Sequence, residues 1–128
     1  MGPAAFLLLF ASLFVNTNAF YRNSIEVYFC VRPISHTVWN NAHHEIWMRD
    51  EYGGTTLISF QPSGPVVQHG LSAHGANQRC TFTYKGLTSI ARYRELYGHI
   101  DAYRASYHLV YNNCQHFAQQ ALSVLQPR

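Results

Sequence analysis

Residues 112–125 read Asn-Asn-Cys-Gln-His-Phe-Ala-Gln-Gln-Ala-Leu-Ser-Val-Leu. This stretch predicts an amphipathic helix, because its apolar side chains recur on one face at helical spacing. Those side chains are Phe117, Ala121, Leu122 and Leu125. Asn112 and Asn113 stand where a helix N-cap belongs, so we expect Cys114 to open the helix.

A cysteine in the first turn of a helix is well placed for chemistry. It meets the positive end of the helix macrodipole and the unpaired backbone N–H groups of that turn, and both favour the reactive thiolate. The same N–H groups can hold the oxyanion that forms during acyl transfer. Cys114 is therefore a candidate nucleophile, and the alternative is a small buried residue that only packs.

A thiolate nucleophile needs a proton acceptor, which is usually histidine. The chain has eight histidines. His116 is a poor partner for Cys114, because residues two apart point to different faces of a helix. His43 and His44 begin a predicted strand, where neighbouring residues face opposite sides of the sheet. One of these two rings can therefore point towards the helix that Cys114 opens.

The remaining pattern predicts a mixed α and β domain. Alternating apolar residues predict strands at 25–31, 43–48, 55–60 and 79–84. Asp-Glu-Tyr-Gly-Gly at 50–54 predicts the turn of a hairpin between the second and third of these strands. The Gly- and Pro-rich segment 62–75 is expected to be a loop. Residues 88–105 have helical spacing, with Thr88 as the N-cap and Gly98 as a point where the helix could divide.

The segment Tyr-His-Leu-Val-Tyr-Asn-Asn-Cys-Gln-His-Phe at 107–117 resembles the catalytic segment of the lecithin:retinol acyltransferase-like proteins, which carry an Asn-Cys-Glu-His-Phe motif. It is also similar to the Asn-Cys-Asn-x-Phe motif of the PPPDE isopeptidases. Both belong to the circularly permuted branch of the NlpC-like, papain-like superfamily. The resemblance implies an α+β fold in which a small antiparallel sheet packs on helices. Gln115 stands where the acyltransferases have Glu.

The resemblance also implies roles for residues upstream of the cysteine. In that branch a catalytic histidine lies on a strand that precedes the cysteine in the chain. His43 aligns with it because Ile46 follows three residues later, and His44 is the alternative. A third polar residue on the next strand orients the histidine, and Ser59 or Gln61 is the candidate here.

The function implied is that of a thiol hydrolase or acyltransferase. Its substrate would be a peptide, an amide or a lipid ester, cleaved through the sulfur of Cys114 without a cofactor. The alternative is a non-enzymatic secreted effector or binding protein that retains the papain-like fold.

The first residues predict export. Residues 4–15 form an uncharged apolar run that suits a signal peptide and is too short to span a bilayer. Small residues before Phe20 predict cleavage there, which divides the chain into a signal peptide at 1–19 and one domain at 20–128. We expect a secreted protein without a stable membrane anchor after cleavage; the alternative is an uncleaved anchor.

Three cysteines in an oxidising compartment leave one thiol over. The economical pairing joins Cys30 to Cys80 and leaves Cys114 free. The alternatives are that all three stay reduced or that Cys114 takes part in the bridge.

Composition excludes several other classes. The net charge is +3 and the basic residues form no run, so nothing indicates a nucleic-acid partner. The spacings of histidine and cysteine match no standard zinc motif, so no metal is expected. Gly53-Gly54 lacks the Lys-Ser/Thr of a phosphate loop.

Overall fold

The computed structural model describes residues 23–33, 42–100 and 113–128. The predicted signal peptide and the end of the predicted helix 88–105 lie outside these residues. The described part contains five strands and three helices, in the order β1 (Asn23–Pro33), β2 (Ala42–Arg49), β3 (Thr55–Gln61), β4 (Gly64–His69), α1 (Ala73–Arg79), β5 (Thr81–Ser89), α2 (Ile90–His99) and α3 (Cys114–Leu125). This is an α+β arrangement, as the sequence predicts at that coarse level.

The five strands form one antiparallel sheet in the order β4-β3-β2-β1-β5. The predicted hairpin between β2 and β3 is confirmed. Its turn is closed by the backbone N–H of Asp50, which donates to Gly54 at 2.9 Å, while the Asp50 carboxylate accepts from the N–H of Gly54 at 2.8 Å. Gly53 has a φ of +86°, which explains the Gly-Gly sequence of the turn.

The prediction of a loop over 62–75 is wrong. Strand β4 and the first residues of α1 occupy most of it. β4 is an edge strand that pairs only with β3 in the described sheet, so it tolerates Pro65, which has no N–H to donate.

Two other boundaries differ from the prediction. Arg79 ends helix α1, and β5 begins at Thr81 and runs on to Ser89. Helix α2 is capped by the side chain of Ser89 rather than by Thr88, whose hydroxyl instead donates to the carbonyl of Leu125. Helix α2 ends at His99, one residue after Gly98, where the sequence allows a division, and the residues that follow Ile100 lie outside the described part.

Helices α2 and α3 cover one face of the sheet. Phe117, Ala121 and Leu125 of α3 are buried there, as their helical spacing predicts. They pack with Ile46 of β2 and Phe60 of β3, whose ring centroid lies 5.4 Å from that of Phe117. This packing places the first turn of α3 against the start of β2.

The opposite face of the sheet carries the short helix α1. Trp47 is fully buried there, and its indole N–H donates to the carbonyl of Leu71 at 2.9 Å. Cys30 of β1 and Cys80, directly after α1, form a disulfide, which confirms the predicted pairing. Cys114 is free and buried.

Candidate active site

The N-terminus of α3 is built by a reciprocal cap. The Asn113 side chain accepts from the backbone N–H of Gln115 at 3.0 Å and of His116 at 3.3 Å. The ring Nδ1 of His116 accepts in turn from the backbone N–H of Asn113 at 3.3 Å. The predicted N-cap at Asn113 is thus confirmed, and His116 serves the cap rather than the thiol.

Cys114 occupies the first residue of α3, beside the first residue of β2. Its sulfur lies 3.9 Å from the carbonyl oxygen of Ala42, and the side-chain amide of Gln115 donates to the same oxygen at 3.1 Å. The side chains of Cys114 and Gln115, at the start of α3, therefore both lie beside the carbonyl of Ala42. Cys114 is 6% exposed, so the thiol lies in a nearly closed position.

His43 is the imidazole that meets this thiol. It is the second residue of β2, it is 8% exposed, and its ring is in hydrogen-bond contact with Cys114. Burial alone would lower the pKa of His43, but the contacts with Cys114 and Glu45 outweigh burial and raise the pKa from 6.5 to about 9. The ring is therefore positively charged at neutral pH.

The thiol is affected in the opposite direction. Burial alone would raise the pKa of Cys114, but contact with the His43 ring and with the backbone N–H of His44 lowers it below its ordinary 9.0. Opposite shifts in two touching groups stabilise a thiolate beside an imidazolium.

Glu45 is a site residue that sequence reasoning did not identify. Its side chain is fully buried, and its Oε1 lies 3.0 Å from Nε2 of His43. The distance suits an ion pair, although the angle departs from hydrogen-bond geometry. Burial alone would raise the pKa of Glu45, but His43 and Arg79 lower it, so the carboxylate is charged.

Two arginines complete the surroundings of this carboxylate. Nη2 of Arg79 donates to Oε1 of Glu45 at 2.8 Å, and Nε of Arg32 lies 3.2 Å from the same oxygen. Cys30 is the residue directly opposite Glu45 in the sheet, and Cys80 follows Arg79. The disulfide therefore fixes the end of α1 beside Glu45.

The other residues that the sequence singled out are placed differently. The ring of His44 packs edge-on against Phe29 at 5.0 Å, and burial followed by the charge of His43 lowers its pKa. Only the backbone N–H of His44 meets the sulfur. Ser59 is buried directly across from Glu45, and Gln61, the last residue of β3, pairs with Gly64 of β4 at the same end of the sheet as His43. Among the described residues, the polar side chain beside the His43 ring is that of Glu45 rather than that of Ser59 or Gln61.

Two concavities of the described residues lie away from the thiol. One of about 530 Å³ and another of about 430 Å³ share His69 and Tyr93. They sit at the end of the sheet where β2 finishes, whereas His43 is where β2 begins. Within the part of the chain that the structure describes, no group of three or more His, Cys, Asp or Glu side chains is arranged to hold a metal ion.

Comparison with known proteins gave no match. A scan against protein-family models and searches of curated proteins and of solved structures found nothing similar to this chain. Across residues 23–33, 42–100 and 113–128, no helix is both long enough and apolar enough to cross a membrane. The functional proposal therefore depends on the geometry around Cys114.

Proposed function

We propose that this chain is a secreted thiol hydrolase or acyltransferase of permuted papain-like fold, acting on a peptide, amide or ester bond. The observation that carries the proposal is the contact between a helix-opening thiol with a lowered pKa and an imidazole with a pKa raised to about 9. A thiolate and an imidazolium in contact are the groups that acyl transfer to cysteine requires.

The reaction follows from these positions. The Cys114 sulfur attacks the carbonyl carbon, and the proton held by His43 then passes to the leaving group. Water or another acceptor then attacks the thioester while neutral His43 takes its proton, which releases the acyl group and regenerates the thiolate and the imidazolium. Glu45 stabilises the imidazolium in the states that carry it, from a distance of 3.0 Å.

The donor to the developing oxyanion is more restricted than the sequence suggests. The N–H groups of Gln115 and His116 are taken by the Asn113 side chain, and that of Phe117 donates to the Asn113 carbonyl. Among the described residues, the N–H of Cys114, which faces its own sulfur, is the first-turn donor that we assign to the oxyanion.

Alkylation of Cys114 by iodoacetamide across pH tests the proposal. The rate is expected to rise with a midpoint below the ordinary pKa of the thiol, because the imidazolium keeps the sulfur ionised. Cys114→Ser should abolish both labelling and hydrolysis while leaving the circular dichroism spectrum unchanged. Hydrolysis that persists in Cys114→Ser would show that the mechanism is wrong.

Replacing each neighbouring histidine in turn identifies the base. His43→Gln should move the alkylation midpoint to higher pH, since it removes the contact that most lowers the thiol pKa. His44→Gln keeps the backbone N–H that faces the sulfur and removes only a ring packed on Phe29. A midpoint that moves with His44→Gln and not with His43→Gln would reverse the assignment.

One observation is also compatible with the second function, that of a secreted binding protein that retains the fold. Cys114 and His43 are only 6% and 8% exposed, which suits a structural pair as well as a catalytic one. A screen of peptide, amide and ester electrophiles separates the two functions. Turnover lost in Cys114→Ser supports the enzyme, whereas an activated thiol without turnover of any class supports the binding protein.

A further inference from the structure

The two arginines beside Glu45 have more positive charge than that carboxylate can neutralise. Arg79 and Arg32 both contact a single oxygen, Oε1, at 2.8 and 3.2 Å. Its neighbour Oε2 is buried and makes no hydrogen bond within the described residues. One carboxylate oxygen therefore faces two guanidinium groups and the imidazole of His43.

The charges of the described groups do not cancel. Two guanidinium groups carry two positive charges against the one negative charge of Glu45. The pair of His43 and Cys114 adds no net charge, whether its proton lies on the ring or on the sulfur, and among the described residues at this end of β2 the pKa of His44 is lowered, which favours its neutral form. One positive charge is therefore left in excess beside Glu45.

This excess charge is accessible from solvent. The side chains of Arg32 and Arg79 are 37% and 31% exposed, although Glu45 beneath them is fully buried. A guanidinium carries five N–H donors in a planar fork that matches a carboxylate. Oε1 of Glu45 meets one nitrogen of each guanidinium, Nη2 of Arg79 and Nε of Arg32, so other N–H groups of these side chains can meet a second oxyanion.

We infer that the substrate of this site carries a carboxylate close to the bond that is cleaved, and that Arg32 and Arg79 bind it. The inference rests on the proposed function. Each arginine is separated from the sulfur by one carboxylate and one imidazole, a path of roughly 10 Å, or about three extended residues. An acidic side chain or a terminal carboxylate within that span of the scissile carbonyl would reach the guanidinium groups.

Two alkylating reagents that differ in charge test the inference. Iodoacetate is an anion and iodoacetamide is neutral, and with both the thiolate displaces iodide from carbon. The ratio of their rates at Cys114, divided by the ratio for free cysteine, reports the charge that an incoming anion meets. We expect a normalised ratio well above one, falling about three- to tenfold in Arg79→Gln or Arg32→Gln at low salt.

Matched variants separate this effect from a general loss of charge. Arg49→Gln also removes one arginine, but Arg49 pairs with Glu26 at the other end of β2 and should leave the ratio unchanged. Arg79→Lys keeps the charge and should keep most of the ratio, even where Arg79→Gln folds poorly. A normalised ratio of one in the wild type, or equal ratios in Arg79→Gln and Arg49→Gln, overturns the inference.

The same experiment distinguishes a failure of this inference from a failure of the proposed function. Slow reaction of the wild type with both reagents below pH 8 means that the thiol is not activated, and both ideas fail. Fast reaction with both reagents at a normalised ratio of one removes only the carboxylate specificity. Protection of Cys114 by succinate supports a carboxylate substrate, whereas protection by inorganic phosphate alone overturns that assignment in favour of a phosphate group.

Discussion

Replacing Glu45 by Gln removes the charge at the centre of the site and almost none of the volume. Glu45 is fully buried, and three nitrogen atoms lie 2.8 to 3.2 Å from its Oε1. Breaking a buried ion pair by removing one partner generally costs about 3–5 kcal/mol. Since Arg32 and Arg79 keep about a third of their side chains in water, we expect a smaller cost than this, about 2–3 kcal/mol.

The same substitution should also change the chemistry of the thiol. Glu45 helps to raise the pKa of His43 to about 9, so its loss lowers that pKa and weakens the imidazolium that keeps Cys114 ionised. The midpoint of iodoacetamide labelling should therefore move to higher pH in Glu45→Gln. Urea unfolding followed by tryptophan fluorescence gives the stability, and the labelling profile gives the thiol pKa.

Glu26→Gln is the matched control. Glu26 also pairs with an arginine, Arg49 at 2.7 Å, but that pair is about one third exposed and far from the thiol. Its removal should cost at most about 1 kcal/mol and leave the labelling profile in place. Equal stability losses in Glu45→Gln and Glu26→Gln, with no change in labelling, would refute the role given to the buried carboxylate.

Three further predictions concern the frame that holds the site. Asn113→Ala removes the acceptor for two N–H groups and should cost about 1 kcal/mol in urea unfolding; a neutral result would contradict the cap. Phe117→Ala empties a fully packed position and should cost about 3–5 kcal/mol, measured in the same way. Paired replacement of Cys30 and Cys80 by Ser opens a loop of 50 residues and should cost about 4 kcal/mol, seen as a lower thermal midpoint, while Cys114 stays the labelled thiol.

Much of the frame could be predicted from local pattern. The stripe of apolar residues and the Asn-Asn pair identified helix α3, and alternation with a Gly-Gly turn identified the β2–β3 hairpin. Strand β4 was missed because Gly64 and Pro65 are typical of loops. Only its place at the sheet edge, which sequence does not reveal, makes a proline acceptable there. Helix α1 was missed because seven residues are too few to show a helical period.

The candidate site was predictable only where its residues belong to a local sequence pattern. A helix-opening cysteine and a strand histidine are local features, and both were found. The expected orienting residue was sought on the next strand, at Ser59 or Gln61, because the family resemblance placed it there. Glu45 had its own signal: it is two residues after His43, on the same face of a strand, and it directly precedes the apolar residues Ile46 to Met48. Its arginine partners come from β1 and α1 and required the tertiary structure.

The sulfur of Cys114 and the strand end at Ala42 are 72 residues apart in the chain. In the unfolded protein Cys114 and His43, the residue after Ala42, have no contact. Near pH 7.5 the thiol of Cys114 therefore keeps its proton and the imidazole of His43 is neutral. Docking of α3 on β2 brings them together, which lowers the pKa of Cys114 and raises that of His43, so the proton shifts from the sulfur towards the ring. The ultraviolet absorbance of the thiolate therefore follows the arrival of the last helix, and gives a native reporter of when refolding is complete.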